Sequence, residues 1–264
     1  MISPNIITEI SKNDNIGWAI VEKDYFLTLL LDAIANTPLL RENLVFKGGT
    51  AIRKAYFGNY RYSEDLDFSM RKELGGAEIK GAFESALAYL GREYNASLRI
   101  KDFNSKRHFT DIKVQFVGLR GNKNTIAIDM GPNEILVDEQ PERGILNPYY
   151  EKAFSLAVYS LEEIAAEKLR SFLQRIRVRD YYDAWYLLTQ AKLDKKKTAR
   201  IFSRKVAYKK LAFHGKEQLL DAEKLVQAEA YYQSQIGNQL KRLPPFKKMA
   251  EELWEAIRSL DFEQ

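Results

Sequence analysis

Residues 47–67 read KGGTAIRKAYFGNYRYSEDLD, and this stretch decides what the sequence predicts about the fold. It predicts a Gly-Gly-Thr turn, then a helix, then a strand that begins at Asp65. Gly48 and Gly49 let backbone N–H groups approach phosphate oxygens with no Cβ in the way, and the N-terminus of the next helix adds partial positive charge. Residues two apart on a strand point to the same face, so Asp65 and Asp67 can share one or two Mg2+ ions.

These features predict a nucleoside triphosphate (NTP) site. The residues expected to contact phosphates are Gly48, Gly49, Thr50 and Ser63. Divalent ions, Mg2+ or Mn2+, held by Asp65 and Asp67 would bridge the carboxylates to the triphosphate and stabilise charge at the reacting phosphorus. The alternative interpretation is a Gly-rich turn followed by two solvated aspartates, because short Gly-rich matches are common.

The order of these motifs resembles a known family. Gly-Gly-Thr at 48–50, followed by Arg-x-Ser-x-Asp-x-Asp at 61–67, is similar to the first motif of the AbiEii/AbiGii-type toxins. These toxins are also called MenT-like toxins and form a branch of the polymerase β nucleotidyltransferase superfamily. The resemblance extends from Glu-Lys-Asp at 22–24 to Arg-Asp-Tyr-Tyr-Asp at 179–183. One departure is the insertion at 57–60, which makes the Gly-to-Asp spacing longer than is usual in the superfamily.

A third carboxylate is expected on a later strand. Nucleotidyl transfer needs a group near the attacking hydroxyl as well as metal ligands, and the resembling family has an acidic residue on a later strand. On this basis we expect Asp129 beside Asp65 and Asp67, both as a metal ligand and as the group that orients or deprotonates the acceptor hydroxyl. Asp111 is the competing candidate.

A lysine on a predicted helix is the next candidate. The run Ser-Leu-Glu-Glu at 160–163 is typical of a capping box, in which Ser160 and Glu163 bond reciprocally, and it opens a helix predicted to reach Gln174. Lys168 lies on or beside the apolar side of this helix, where an unpaired ammonium is expensive to bury. The alternative interpretation is that the Lys168 side chain extends along the protein surface and places its ammonium group in solvent.

The family resemblance gives this lysine a sharper role. It places the Lys168 charge on the triphosphate, with a nearby acid to orient the side chain. Asp180 and Asp183, three apart on one predicted helical face, are the candidates for that acid and for catalytic residues. For Asp180 the alternative is an N-cap, which is a purely structural role.

Composition restricts the class of protein. The chain has 264 residues, of which 45% are hydrophobic and 29% charged. No stretch approaches the ~18 apolar residues of a membrane span, and the N-terminus shows no signal-peptide pattern. The chain has no cysteine, which excludes disulfides, thiolate metal sites and a Cys nucleophile. We therefore expect a cytoplasmic protein with no membrane partner.

Positive charge is concentrated toward the C-terminus. From Ser160 onward there are 21 Lys+Arg against 15 Asp+Glu, a net of +6, whereas residues 1–159 have 20 against 21, a net of −1. The basic clusters are Arg175/Arg177/Arg179, Lys195/Lys196/Lys197, Arg204/Lys205/Lys209/Lys210 and Lys241/Arg242/Lys247/Lys248. Each cluster alone can be a solvated helix face, but together they favour RNA as a polyanionic partner.

Periodicity along the chain predicts an α/β plus α protein with two domains. Residues 1–155 are expected to form a polymerase β-like nucleotidyltransferase domain on a mixed sheet, and residues 156–264 a helical bundle that completes the site. The predicted helices span 18–36, 51–56, 77–91, 160–174, 216–240 and 246–260. The predicted strands span 44–47, 65–70, 97–103, 110–117 and 125–130.

The resemblance also implies an activity. It implies transfer of a nucleoside monophosphate from an NTP to the 3′ end of tRNA, with release of pyrophosphate. Blocked aminoacylation would make the protein a growth-arresting toxin with a cognate antitoxin. Two alternatives remain, namely the same chemistry on a small molecule or a protein hydroxyl, and a non-catalytic, nucleotide-dependent RNA-binding protein.

Overall fold

The computed structural model describes residues 1–106, 109–131 and 134–262. The chain divides into two compact units. The N-terminal unit comprises Met1–Glu134 and Gln140–Val158, and the helical unit comprises Ile135–Glu139 and the residues from Tyr159 on. The first is an α/β structure and the second is helical, which confirms the predicted fold class.

A mixed sheet forms the centre of the N-terminal unit. Within the described residues its strands are β1 (Leu44–Lys47), β2 (Asp65–Met70), β3 (Leu98–Lys106), β4 (Phe109–Val117) and β5 (Lys123–Gly131). Their order is β1-β2-β5-β4-β3; β2 and β5 are parallel and the other neighbours antiparallel. Two short strands, β6 (Glu142–Gly144) and β7 (Ser155–Ala157), pair separately. The sheet confirms the five predicted strands to within a few residues at each end.

Alternation along the strands separates a packed face from a polar face. The longer helices of this unit are α1 (Pro4–Asp14), α2 (Trp18–Ala35) and α5 (Gly76–Tyr94), and a shorter one is α3 (Pro38–Asn43). Phe26 of α2 stacks on Phe116 of β4 with ring centroids 4.1 Å apart. Leu66 and Ile128 are also fully buried, whereas Asp65 and Asp67 alternate with buried residues and remain partly exposed. The carboxylates therefore lie on the face opposite the apolar core.

The helix of the glycine motif begins at Gly48, three residues earlier in the chain than the sequence predicts. Helix α4 (Gly48–Ala51) begins directly after β1 and continues as a π-helical turn, Ile52–Tyr56. Gly48 has φ +78°, a conformation that glycine adopts without strain. This lets the chain pass from strand to helix with no separate turn.

The helical unit contains α6 (Leu161–Ser171), α7 (Val178–Gln190), α8 (Lys195–Tyr208), α9 (Ala222–Ile236) and α10 (Phe246–Arg258). The predicted helix 216–240 is wrong at its start, where a 3-10 turn, Lys216–Gln218, precedes α9. Asp221 accepts hydrogen bonds from the N–H groups of Glu223 and Lys224, and this N-cap begins the helix six residues later than predicted.

Two predictions about charged residues in the helical unit are wrong. The sequence places Lys205 in a surface cluster, yet its side chain is fully buried and lies 3.0 Å from the Glu163 carboxylate. Ser160 caps α6 through the Glu163 N–H as predicted. The Glu163 side chain, however, accepts from the N–H groups of Val137 and Asp138 instead of returning to Ser160. A buried ammonium needs a carboxylate partner, and Glu163 is that partner.

Among the residues that the structure describes, no helix combines the length and the apolar character needed to cross a bilayer.

Candidate active site

Gly48 brings the backbone of the glycine motif against the carboxylate of Asp67. A Cβ placed on Gly48 would lie 2.3 Å from Asp67 Oδ2, well inside any van der Waals contact. Lys47 and Asp67 are paired in register between β1 and β2. The close approach therefore requires glycine at position 48 both for its positive φ and for its missing side chain.

Thr50 and Ser63 tie the same motif to the strand that carries the carboxylates. The Thr50 hydroxyl donates to the backbone carbonyl of Asp65 at 2.6 Å, and the Ser63 hydroxyl donates to Asp65 Oδ1 at 3.2 Å. Thr50 and Ser63 are buried, as is Gly49 within α4. The predicted phosphate-contacting residues and the first carboxylate thus come together in one place.

The third carboxylate lies on the strand next to β2. Asp67 is directly opposite Asp129 in the parallel pair of β2 and β5, and Asp65 is opposite Ala127. Neighbouring strands are about 4.8 Å apart, so Asp129 is one strand spacing from Asp67 on the same face. Asp111 is opposite Asp129 on β4, one strand further away, and its carboxylate accepts a hydrogen bond from Asn104 at 2.9 Å. The register places Asp129, ahead of Asp111, beside the Asp65-x-Asp67 pair.

These carboxylates suit a hard divalent cation that takes only some of its ligands from the protein. No group of three or more His, Cys, Asp or Glu side chains is arranged to hold a metal within 1–106, 109–131 and 134–262. Mg2+ commonly takes one or two carboxylates and completes its octahedron with waters and substrate phosphates. The oxygen donors of Asp65 and Asp67, beside the close backbone approach at Gly48, fit that mode of binding.

In the helical unit, Lys168 is held by two aspartates of the following helix. Its Nζ lies 2.7 Å from Asp180 Oδ1 and 2.8 Å from Asp183 Oδ2. The side chain of Lys168 is 14% exposed and that of Asp183 is fully buried. The lysine is therefore paired inside the unit, and the interpretation of a side chain that only reaches out to solvent is wrong.

Asp180 joins several partners and does not cap its helix. Arg177 is the N-cap of α7 and Asp180 lies within the first turn, so the N-cap alternative is wrong. Besides Lys168, its carboxylate accepts from Arg175 Nε at 3.1 Å and from the Ser171 hydroxyl at 3.2 Å. Burial opposes ionisation, but the charges of Lys168 and Arg175 hold the pKa of Asp180 below its ordinary value.

Behind the glycine motif lies a buried ionic network that the sequence does not predict. Asp24 is 1% exposed and Lys54 2% exposed, and the Lys54 ammonium donates to Asp24 Oδ2. Asp24 Oδ2 also accepts from the Tyr149 hydroxyl at 2.6 Å, and Arg53 Nε lies 3.5 Å from Asp24 Oδ1. Burial opposes ionisation of Asp24, but Lys54 and Arg53 hold its pKa below the ordinary value. The available signal is a lysine and an arginine inside the otherwise apolar segment that follows Thr50.

Arg53 also anchors the unusually long loop before Asp65. Its guanidinium donates to the carbonyl of Gly58 at 2.9 Å and to that of Tyr60, and stacks 3.6 Å from the ring centroid of Tyr62. The inserted residues are thus fastened to the π-helical turn, which explains how Asp65 reaches its strand despite the longer spacing.

Glu22, at the start of the segment shared with the resembling family, fixes the turn that leads into β5. Its carboxylate accepts from the Leu119 N–H at 2.6 Å and from Asn122 Nδ2 at 3.3 Å. A Cβ on Gly118 would lie 2.6 Å from Glu22 Oε1, so a larger residue there would displace the Glu22 carboxylate. The contact positions the strand that carries Asp129.

Comparisons with known proteins identify a family and a similar fold. The model of the family described as nucleotidyl transferase AbiEii toxin, type IV toxin–antitoxin system, matches residues 29–259. No curated protein matches the chain. The fold is similar to that of MenT4, a nucleotidyltransferase toxin from Mycobacterium tuberculosis H37Rv, with a TM-score of 0.74 and 17% sequence identity, covering 99% of this chain and 91% of that chain.

Proposed function

This chain belongs to the AbiEii family of nucleotidyltransferase toxins of type IV toxin–antitoxin systems, and we propose that its acceptor is the 3′ end of tRNA. Transfer of a nucleoside monophosphate to that end would block aminoacylation and arrest growth. The family implies a cognate antitoxin as a partner. The register of Asp67 beside Asp129, with Gly48 against Asp67, supports the nucleotidyl transfer. RNA as the acceptor is supported by the net charge of +6 from Ser160 onward, because a basic surface favours a polyanionic partner.

In the proposed mechanism the N-terminal unit binds the triphosphate. Backbone N–H groups at Gly48 and Gly49 contact phosphate oxygens. The hydroxyls of Thr50 and Ser63, which donate to Asp65, hold the glycine motif against the first carboxylate. Asp65, Asp67 and Asp129 would hold divalent ions, Mg2+ or Mn2+. When bound, such ions neutralise charge on the triphosphate and polarise the reacting phosphorus.

The proposed transfer is a single displacement. The acceptor hydroxyl oxygen forms a bond to the α-phosphorus, the bond from that phosphorus to the bridging oxygen of the β-phosphate breaks, and pyrophosphate leaves with the bond electrons. Asp129 orients the hydroxyl and accepts its proton. Lys168, oriented by Asp180 and Asp183, supplies positive charge to the departing pyrophosphate.

The experiment uses NTPs labelled at the α- or the γ-phosphate, each incubated with the purified protein and total RNA. We expect α-label, and no γ-label, at the 3′ end of tRNA, because nucleotidyl transfer retains only the α-phosphate. Periodate-oxidised tRNA, which lacks the terminal hydroxyls, is the matched control and should accept no label. Label in the protein, or in a small-molecule product other than the NTP and its hydrolysis products, with none in RNA, would contradict the tRNA acceptor.

A further inference from the structure

The polar face of the N-terminal sheet continues beyond the carboxylates. The strand register defines three rows: Asp67, Asp129, Asp111 and Asn104; Asp65, Ala127, Lys113 and Asp102; and Thr125, Gln115 and Arg99. Side chains on a row share a face, and successive rows are two residues apart along β4 and β5; on β3 a β-bulge between Ile100 and Asp102 makes the last step three residues. The outward residues of β4 and β5 therefore form a surface that begins at the candidate active site.

Small side chains line this surface along β5. After Asp129, the outward positions are Ala127 and Thr125, and the strand starts at the exposed Lys123. Ala127 lies beside Asp65 in the parallel pair and beside Lys113 in the antiparallel pair. Two strand spacings, or about 10 Å, separate Lys113 from Asp65. The residue between them, Ala127, has a side chain of a single methyl group.

Apart from Asp65, Asp67 and Asp129, this surface carries three cations and two carboxylates, a net charge of +1: Arg99, Lys113 and Lys123 against Asp102 and Asp111. The whole of residues 1–159 carries a net charge of −1. Lys113 lies 3.7 Å from Asp102, and the side chains are 55% and 53% exposed, so this ion pair is weak and readily exchanged for another anion. Arg99 donates hydrogen bonds of 3.0 and 2.9 Å to the amide oxygen of Gln115. That partner is neutral, so the contact leaves the positive charge of Arg99 uncompensated.

We propose that this cationic sheet face, defined by Arg99, Lys113, Lys123, Thr125 and Ala127, binds the phosphates of the acceptor RNA next to its reacting end. The inference rests on the proposed function, because it takes the acceptor to be RNA. Lysine and arginine contacts to phosphates position a nucleic acid without reading its sequence. The face thus aligns the acceptor strand so that its terminal hydroxyl reaches Asp129.

The test is steady-state transfer of α-labelled nucleotide to tRNA by the double variant Lys113→Gln, Lys123→Gln. We expect KM for tRNA to rise about tenfold or more while kcat and the KM for the NTP change little. The salt dependence of RNA binding should weaken, by about 0.7 in slope for each single-stranded phosphate that the variant no longer neutralises. The matched control is Lys12→Gln, Lys80→Gln, which removes two exposed lysines from α1 and α5.

The outcomes separate this inference from the proposed function. If the wild type is active and the double variant has an unchanged KM for tRNA, the sheet face does not bind the RNA. The proposal that tRNA is the acceptor is then unaffected. A wild type that labels no RNA refutes the acceptor, and the sheet face with it. If the double variant melts well below the wild type, the single variants Lys113→Gln and Lys123→Gln provide the same test, each expected to raise KM by a smaller factor.

Discussion

Gly48 combines a positive φ with a carboxylate where its side chain would be. Replacement by alanine, Gly48→Ala, should strain the backbone by ~1–3 kcal/mol and displace Asp67. We expect loss of nucleotide transfer and a lower melting temperature. Gly81→Ala is the control, because a Cβ there meets nothing within 4 Å and alanine favours a helix. Full activity of Gly48→Ala would show that the approach to Asp67 is not needed.

At Lys168, charge and geometry can be tested separately. Lys168→Ala should lower transfer by ~10²–10³-fold, the typical cost of removing one group that stabilises transition-state charge. It should also cost ~3–5 kcal/mol, because two largely buried carboxylates lose their shared partner. Lys168→Arg keeps the charge and should retain more activity. Rates are compared well below the melting temperature of each variant; equal rates for Lys168→Ala and wild type would exclude a role in transfer.

At the scale of elements, the contact of α6 with α7 should be sensitive to acid. The folded-state pKa of Asp180 is lower than 3.8, so its ionised form stabilises the fold above that pH, and the contribution disappears as pH falls through the folded-state value. Asp180→Asn should therefore lower the urea midpoint equally at pH 7 and pH 5. The difference from wild type should shrink below about pH 4.

The matched control for this pH dependence is Asp261→Asn at an exposed position; it should shift the midpoint little at any of these pH values. A difference between Asp180→Asn and wild type that persists unchanged to pH 2 would show that the pairing of Asp180 with Lys168 and Arg175 contributes nothing to stability.

Some elements of this fold could be predicted from the sequence, and others could not. Strand β2 is predicted with its observed bounds, Asp65–Met70, because aspartates alternate with buried apolar residues. The register that brings Asp129 beside Asp67 is beyond sequence patterns, since pairing depends on which strands meet across the sheet. The burial of Lys54 and Lys205 could not be predicted from the sequence either. A charged residue looks solvated in sequence, and only the fold supplies the buried carboxylates of Asp24 and Glu163 that pair with them.

At the scale of the whole molecule, the excess positive charge after residue 159 predicts an extended RNA surface. Neutralising the exposed Lys195, Lys196, Arg204 and Lys210 should weaken binding of full-length tRNA and reduce its salt slope by about 0.7–0.9 for each phosphate left without a cation. Lys205 stays unchanged, because it is buried against Glu163.

Transfer to a short acceptor should suffer less from this fourfold change, since distant phosphates only position the substrate. The salt dependence of tRNA binding, measured for the variant and the wild type, checks the prediction. Identical binding at every salt concentration would reject the helical unit as an RNA surface.

The central claim is that the carboxylates on the polar face of the sheet perform nucleotidyl transfer. The most direct measurement is single-turnover transfer of α-labelled nucleotide to tRNA by Asp67→Asn, with Asp261→Asn at an exposed position as the control. We expect Asp67→Asn to fold like wild type and to lose at least ~10³-fold in rate, because a neutral amide is a poor ligand for the divalent ion. Asp261→Asn should retain the wild-type rate. Wild-type transfer by a folded Asp67→Asn would contradict the account.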